Sequence, residues 1–103
     1  MSRVVRAGLV QAGIGSELPA PLVPESLEQV KQFLIDKHVA LIGSAAQQGV
    51  QVLCLQELFY GPYFCAEQDP KWFALAEEVP GGPTLRLMQD LARKHRIILI
   101  VPV

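Results

Sequence analysis

The stretch best suited to chemistry is QELFYGPYFC, residues 56–65, in which a single glutamine separates a carboxylate from the apolar run before it. Glu57 comes after the apolar residues 52–55, and six of the seven aromatic residues of the chain lie between Phe59 and Phe73. A carboxylate walled by rings loses hydration, which is one way in which enzymes prepare a general base. The residues alone leave a second interpretation open, a solvated glutamate where a strand reaches the surface.

The cysteines and histidines are weaker candidates. A nucleophilic cysteine needs a neighbour that generates the thiolate, and both His38 and His95 fall on predicted helices away from Cys65. We therefore interpret Cys65 as structural, with a reactive thiol as the alternative, and Cys54 as a small buried hydrophobic residue. Two cysteines without suitable histidine partners do not predict a metal site.

The turn PGGPT, residues 80–84, precedes a predicted helix. A helix N-terminus can bind an anion. This turn lacks the Lys-Ser/Thr pair of a phosphate-binding loop and the GxGxxG spacing of a dinucleotide site. We therefore interpret it as a tight turn followed by a helix start.

The elements that must position these residues follow from periodicity. Strand signals cover residues 4–12, 50–56 and 97–103, helix signals cover 27–48, 69–77 and 84–95, and residues 13–24 read as a loop. Ser26 and Gln29 form a capping-box pair before the first helix, and Gly49 follows it as a C′ glycine. The order β-α-β-α-β predicts an α/β fold with a parallel sheet. The apolar run 52–55 predicts a strand covered on both faces.

Composition excludes several classes of partner. The net charge is −1 with a pI of about 6.1, and the basic residues are scattered, so neither nucleic acid nor an anionic membrane surface is an expected partner. The longest apolar run, residues 97–103, is too short to span a bilayer. Two cysteines make no disulfide framework, and the N-terminus has no long apolar signal region. A cytoplasmic location is therefore predicted.

The stretch 56–65 resembles the carbon–nitrogen hydrolases of the nitrilase superfamily, particularly the β-ureidopropionases and N-carbamoylputrescine amidases. The resemblance rests on the pattern Gln-Glu-Leu-Phe-x-Gly-x-Tyr-Phe-Cys and on the Pro-Gly-Gly-Pro-Thr turn. It extends to VRAGLVQA near the N-terminus, to DKHVALIGSAAQQGVQVLCLQEL in the middle and to EEVPGGPTLRLMQDLARKHRIILIVPV at the end. Most of the chain is therefore similar to this family.

The resemblance implies an αββα sandwich and a Glu–Lys–Cys catalytic triad without a cofactor. The family's glutamate corresponds to Glu57, while Lys71, Lys94 and Cys65 do not match the motifs of its lysine and cysteine. The implied substrate is a small N-carbamoyl amine or amino acid, and the implied assembly is a homodimer or larger homo-oligomer. Tyr63 and Phe64 are candidates for the pocket wall.

The chain is 50% hydrophobic with a mean hydropathy of +0.29, which implies a crowded core or apolar faces made for other segments. Together with the resemblance, in which only Glu57 of the triad is matched, this leads us to expect residues 1–103 to be the N-terminal portion of a single carbon–nitrogen hydrolase domain, inactive by themselves. An N-carbamoylputrescine amidase, an ω-amidase and a non-catalytic α/β fragment remain the alternatives.

Overall fold

The computed structural model describes residues 2–14 and 18–103. It has three strands, β1 (Ala7–Leu9), β2 (Val52–Cys54) and β3 (Ile98–Ile100), and two α-helices, α1 (Leu27–Gln47) and α2 (Pro83–His95). Three short 3₁₀ segments, Pro24–Ser26, Phe64–Ala66 and Pro70–Leu75, lie in the connections. The predicted loop 13–24 includes residues 15–17, which lie outside the described residues.

The three strands form one parallel sheet in the order β1-β2-β3. Leu53 in the centre lies opposite Gly8 on one side and Leu99 on the other. The predicted β-α-β-α-β order and parallel pairing are therefore confirmed. Each strand is three residues long and thus shorter than predicted, because regular pairing on both sides of β2 is limited to this central register.

Helix α1 forms because its apolar residues recur at three- and four-residue steps and face the sheet. The buried residues of α1 are Leu27, Val30, Lys31, Leu34, Ile35, His38 and Ile42. Gly49 adopts a φ of +78° just past the helix, as predicted for a C′ glycine. The predicted capping box is wrong: the Ser26 hydroxyl donates to the carbonyl oxygens of Val23 and Pro21, because Ser26 ends a 3₁₀ turn and its side chain points back into the preceding loop.

The segment between β2 and α2 is tied down by local caps. Asp69 accepts a hydrogen bond from the backbone N–H of Lys71 at 2.9 Å, and Pro70 follows it as the first residue of a 3₁₀ helix. This predicted helix start is confirmed, although the helix ends at Leu75 rather than at Glu77. Trp72 and Leu75 pack from it onto Leu27 of α1.

Both helices contribute to one core on one face of the sheet. Ile35 and Ile42 from α1 meet Met88 and Leu91 from α2 over Leu53 of the central strand. The alternation of side chains along a strand places the next set of residues on the other face.

That other face is open, so the expectation that the central strand is covered on both sides is wrong for this chain. Leu9 is 85% exposed, Ile98 63% and Ile100 50%. Val52 and Cys54 lie between them in the register and are only half-buried. Layered folds cover an apolar sheet face of this kind with another layer. The open face therefore agrees with the α/β class of the implied sandwich.

The open face yields a prediction for the isolated 103-residue chain. We expect it to self-associate through this face and its strand edges. Ile98→Lys places a charge at the first residue of β3 on the open face and is expected to raise the monomeric fraction in size-exclusion chromatography. Gln89→Lys adds the same charge on an exposed position of α2 and should not. A wild-type chain that elutes as a monomer at high concentration would contradict this expectation.

Candidate active site

Glu57 lies where the central strand ends, three residues beyond Cys54, in a turn over residues 57–60. Its side chain is exposed, so the expectation of a partly dehydrated carboxylate is wrong for these 103 residues. The physical reason is that the ring of Phe59, two residues further on, points into the core and does not cover the carboxylate. Phe59 is only 1% exposed and packs into the core edge-on to His38 and Tyr60, with ring centroids 5.0 and 5.3 Å away.

The backbone beside Glu57 is strained. Leu58 has a φ of +55°, in the left-handed region that a leucine rarely adopts. The backbone N–H of Gly61 donates to the Leu58 carbonyl at 3.2 Å and closes the turn. Such a conformation costs on the order of 1–3 kcal/mol and tends to occur at functional sites, where the surroundings enforce it. The turn that carries Glu57 therefore has a feature of a functional loop that the sequence did not reveal.

An apolar cavity of about 260 Å³ opens next to this turn. It is lined by Leu58, Tyr60, Gly61, Pro62, Phe64, Trp72, Phe73, Leu75, Ala76 and Val103. The predicted wall residue Phe64 is part of the lining. Tyr63, the other predicted wall residue, is 68% exposed and lies outside it, as does Glu57. The structure thus brings one of the two predicted wall residues to the cavity.

The charges of Cys65 and Glu57 both act on the phenol of Tyr63. The pKa of the Tyr63 phenol is raised, first by the charge of Cys65 and a hydrogen bond with it, then by burial, and further by the Glu57 carboxylate. Cys65 is exposed, so it lies outside the core of the described residues, and its role as a structural or a reactive thiol stays a prediction. The exposure follows from its place on the 3₁₀ turn Phe64–Ala66, which has no buried residue.

The remaining cysteine and the histidines lie away from this group. Cys54 is half-buried, since it faces the open side of the sheet, and its thiol contacts the Leu55 carbonyl at 3.4 Å. His38 is fully buried on α1, with Nδ1 2.8 Å from the Leu34 carbonyl oxygen. His95 ends α2.

A buried ion pair joins the connection after the cavity to helix α1. Lys31 Nζ lies 2.7 Å from Glu77 Oε2, and the two side chains are 7% and 11% exposed. The same ammonium donates to the Leu75 carbonyl at 3.2 Å and lies 4.8 Å from the centre of the Tyr60 ring. Sequence reasoning missed this pair, because the two residues are far apart along the chain and a lysine on a helix usually faces solvent.

The carboxylate of Glu77 also caps helix α2. Glu77 Oε1 accepts from the Thr84 backbone N–H at 2.7 Å, and the Thr84 hydroxyl donates to Oε2. Burial raises the pKa of Glu77, but the hydrogen bonds from Lys31 and Thr84 outweigh it and bring the pKa below its usual value. The turn 80–84 is thus a helix start, as predicted, and the anion at its N-terminus is a side chain of the protein itself.

Across residues 2–14 and 18–103, His, Cys, Asp and Glu side chains form no group of three that is able to hold a metal ion. In the same part of the chain, no helix combines the length and apolarity needed to cross a membrane.

Comparison with known proteins places these features in a family. The profile of the carbon–nitrogen hydrolase family matches residues 6–103. The chain is 33% identical to a β-ureidopropionase of Arabidopsis thaliana over 101 residues, which is 98% of the chain and 23% of that relative. It is 39% identical over 61 residues to an N-carbamoylputrescine amidase of Solanum lycopersicum, covering 59% of the chain and 20% of the relative.

A third relative, an N-carbamoylputrescine amidase of Oryza sativa subsp. japonica, is 32% identical over 89 residues, which is 86% of the chain and 30% of the relative. The chain therefore spans less than a third of the length of these relatives. The matched region contains the parallel sheet, both helices and the turn with Glu57. The chain belongs to the carbon–nitrogen hydrolase family.

Proposed function

We propose that the protein carrying these residues hydrolyses the carbon–nitrogen bond of an N-carbamoyl amine or amino acid, with Glu57 as general base. The observation that carries this proposal is the position of Glu57, at the carboxyl end of the central parallel strand and on a strained turn beside an apolar cavity. Ligands of open α/β sheets bind beyond the carboxyl ends of the strands.

In the proposed reaction, Glu57 takes the proton of a cysteine thiol, and the thiolate attacks the carbamoyl carbon. A lysine ammonium stabilises the oxyanion of the tetrahedral intermediate. In the collapse of this intermediate, Glu57 passes its proton to the leaving nitrogen, which departs as ammonia or an amine, and a carbamoyl- or acyl-thioester remains. Glu57 then activates the water that hydrolyses the thioester. Both the lysine and the cysteine are proposed to come from segments other than residues 1–103.

This division of the triad accounts for the exposure of Glu57. A base that serves a nucleophile from another segment must face outward from its own segment. The open sheet face supports the same view, since Leu9, Ile98 and Ile100 are apolar side chains without a covering layer. We therefore propose that residues 1–103 form one portion of a single hydrolase domain and are inactive alone. A homodimer or larger assembly and a cytoplasmic location stay predictions.

The two functions that the names of the relatives suggest differ in the charged group at the far end of the substrate. N-carbamoyl-β-alanine ends in a carboxylate and N-carbamoylputrescine ends in an ammonium group. The β-ureidopropionase is 33% identical over 98% of the chain, and the two amidases are 39% and 32% identical over 59% and 86%; on the longer similarity, the carboxylate substrate is the one proposed. An ω-amidase of the same family is the remaining enzymatic alternative.

The test is ammonia release by the full-length protein from N-carbamoyl-β-alanine and from N-carbamoylputrescine at matched concentrations. We expect turnover of at least one, with a higher kcat/KM for N-carbamoyl-β-alanine. The isolated 103-residue chain serves as the control and should release none. Absence of ammonia from both carbamoyl compounds and from simple ω-amides would contradict the proposal and favour the non-catalytic alternative.

A further inference from the structure

The side chain of Gln56 clamps the end of the first strand. Its Nε2 donates to the carbonyl oxygen of Ala12 at 2.6 Å, and its Oε1 accepts from the backbone N–H of Ala12. One side-chain amide thus satisfies both backbone polar groups of a residue 44 positions away. It bonds Ala12 as a neighbouring strand would, since a primary amide has the same donor and acceptor as a peptide group.

The clamp continues the pairing of β1 and β2 beyond their regular ladder. Val10 N donates to Cys54 O at 2.9 Å, and on the other side of β2 Leu55 N donates to Ile100 O at 3.0 Å. Gln56 is the next residue, and its side chain makes the hydrogen bonds to the segment that follows the first strand. The residue after it is Glu57.

Glu57 is therefore held between two fixed points. Gln56 anchors the backbone on its N-terminal side, and the left-handed Leu58, bonded to Gly61, fixes it on the other. We propose that Gln56 is a positioning residue, whose amide clamp on Ala12 sets the direction in which Glu57 leaves the sheet. This inference rests on the proposed function, in which Glu57 is the base.

A second glutamine, just before the start of β2, separates positioning from simple strand pairing. Gln51 Oε1 accepts from the backbone N–H of Arg6 at 3.0 Å. It therefore makes the same kind of bond to the segment leading into β1, at the opposite end of β2 from Glu57. A role in joining the strands applies to both glutamines, whereas a role in positioning Glu57 applies only to Gln56.

The experiment compares Gln56→Met with Gln51→Met in the full-length protein. Methionine keeps the length of the side chain and removes the donor and acceptor. We expect Gln56→Met to lower kcat about 10–100-fold, the effect of a small misplacement of a reacting group, with KM nearly unchanged. Gln51→Met should keep the kcat of the wild type. Equal kcat values for the two variants would overturn the inference.

Gln56→Glu gives a second readout, which also stands if Gln56→Met does not fold. A protonated carboxyl group donates one hydrogen bond and accepts another, so it is able to make both bonds to Ala12, whereas a carboxylate only accepts. The kcat of Gln56→Glu relative to the wild type should therefore rise as the pH falls toward the pKa of the new carboxyl group. A ratio that stays constant with pH would overturn the inference.

The double variant Glu57→Gln/Gln56→Met distinguishes this inference from the proposed function. If Gln56 acts through Glu57, the double variant should be no slower than Glu57→Gln alone, because no base remains to be positioned. Multiplied losses would overturn the positioning role. An active Glu57→Gln protein would refute the proposed function itself, whereas an inactive Glu57→Gln beside a fully active Gln56→Met would refute only the role of Gln56.

Discussion

Glu57→Gln is expected to lower kcat for carbamoyl hydrolysis about 10²–10⁴-fold in the full-length protein, the usual contribution of a general base. The amide has nearly the size of the carboxylate but is not able to accept a proton from a thiol. Because the loss falls on proton transfer rather than on binding, kcat and kcat/KM should decrease together. Ammonia release under saturating substrate measures the first quantity.

The exposure of Glu57 makes this result easy to interpret. Exposed substitutions usually change the free energy of unfolding by less than about 0.5 kcal/mol, so a lost activity would not reflect a lost fold. Glu67→Gln is a matched control, because Glu67 lies in the same loop, is 56% exposed and pairs with Lys71 at the surface. It should keep the activity of the wild type. Turnover near the wild-type rate in Glu57→Gln would remove Glu57 from the mechanism.

Lys31→Met is expected to lower the free energy of unfolding by about 3–5 kcal/mol, the usual effect of removing one partner of a buried ion pair. The substitution leaves the Glu77 carboxylate buried, with only the hydrogen bonds from Thr84. The measurement is urea denaturation of the full-length protein at neutral pH. An unchanged urea midpoint would contradict the buried pair.

Lys71→Met is the matched control for this prediction. Lys71 also pairs with a glutamate, at 3.0 Å from Glu67, and lies over an aromatic ring, 4.6 Å from the centre of Trp72. Its partner is exposed, so the expected loss is below about 1 kcal/mol. The difference between the two variants isolates the effect of burial.

The same pair predicts a dependence on pH. Since the pKa of Glu77 in the folded protein lies below its usual value of 4.5, the stabilisation is fully present above that value. It is lost as the pH falls through the lower pKa of the folded state. The difference in the free energy of unfolding between wild type and Lys31→Met should therefore become smaller in acid.

Lys31→Met/Glu77→Gln should recover part of the lost stability at neutral pH, because no charge remains buried.

Local signals in the sequence predicted the elements well. The apolar period of residues 27–48 and Gly49 predicted α1 and its end, and Asp69 with Pro70 predicted the start of the 3₁₀ helix. The capping box failed because Ser26 had a competing set of acceptors in the preceding loop. The strands were predicted too long, because an apolar run reports β-propensity but not where a neighbouring strand ends.

The features of the site also fall into those that the sequence determined and those that it did not. The position of Glu57 at the end of the central strand was determined by the sequence, since it depends on neighbouring residues, and its correspondence to the family's glutamate stays a prediction from a motif. Its exposure, the clamp of Gln56 on Ala12 and the pairing of Lys31 with Glu77 were decided only by the tertiary structure. These contacts join residues more than 40 positions apart, and a local pattern holds no information on which distant group will meet a given side chain.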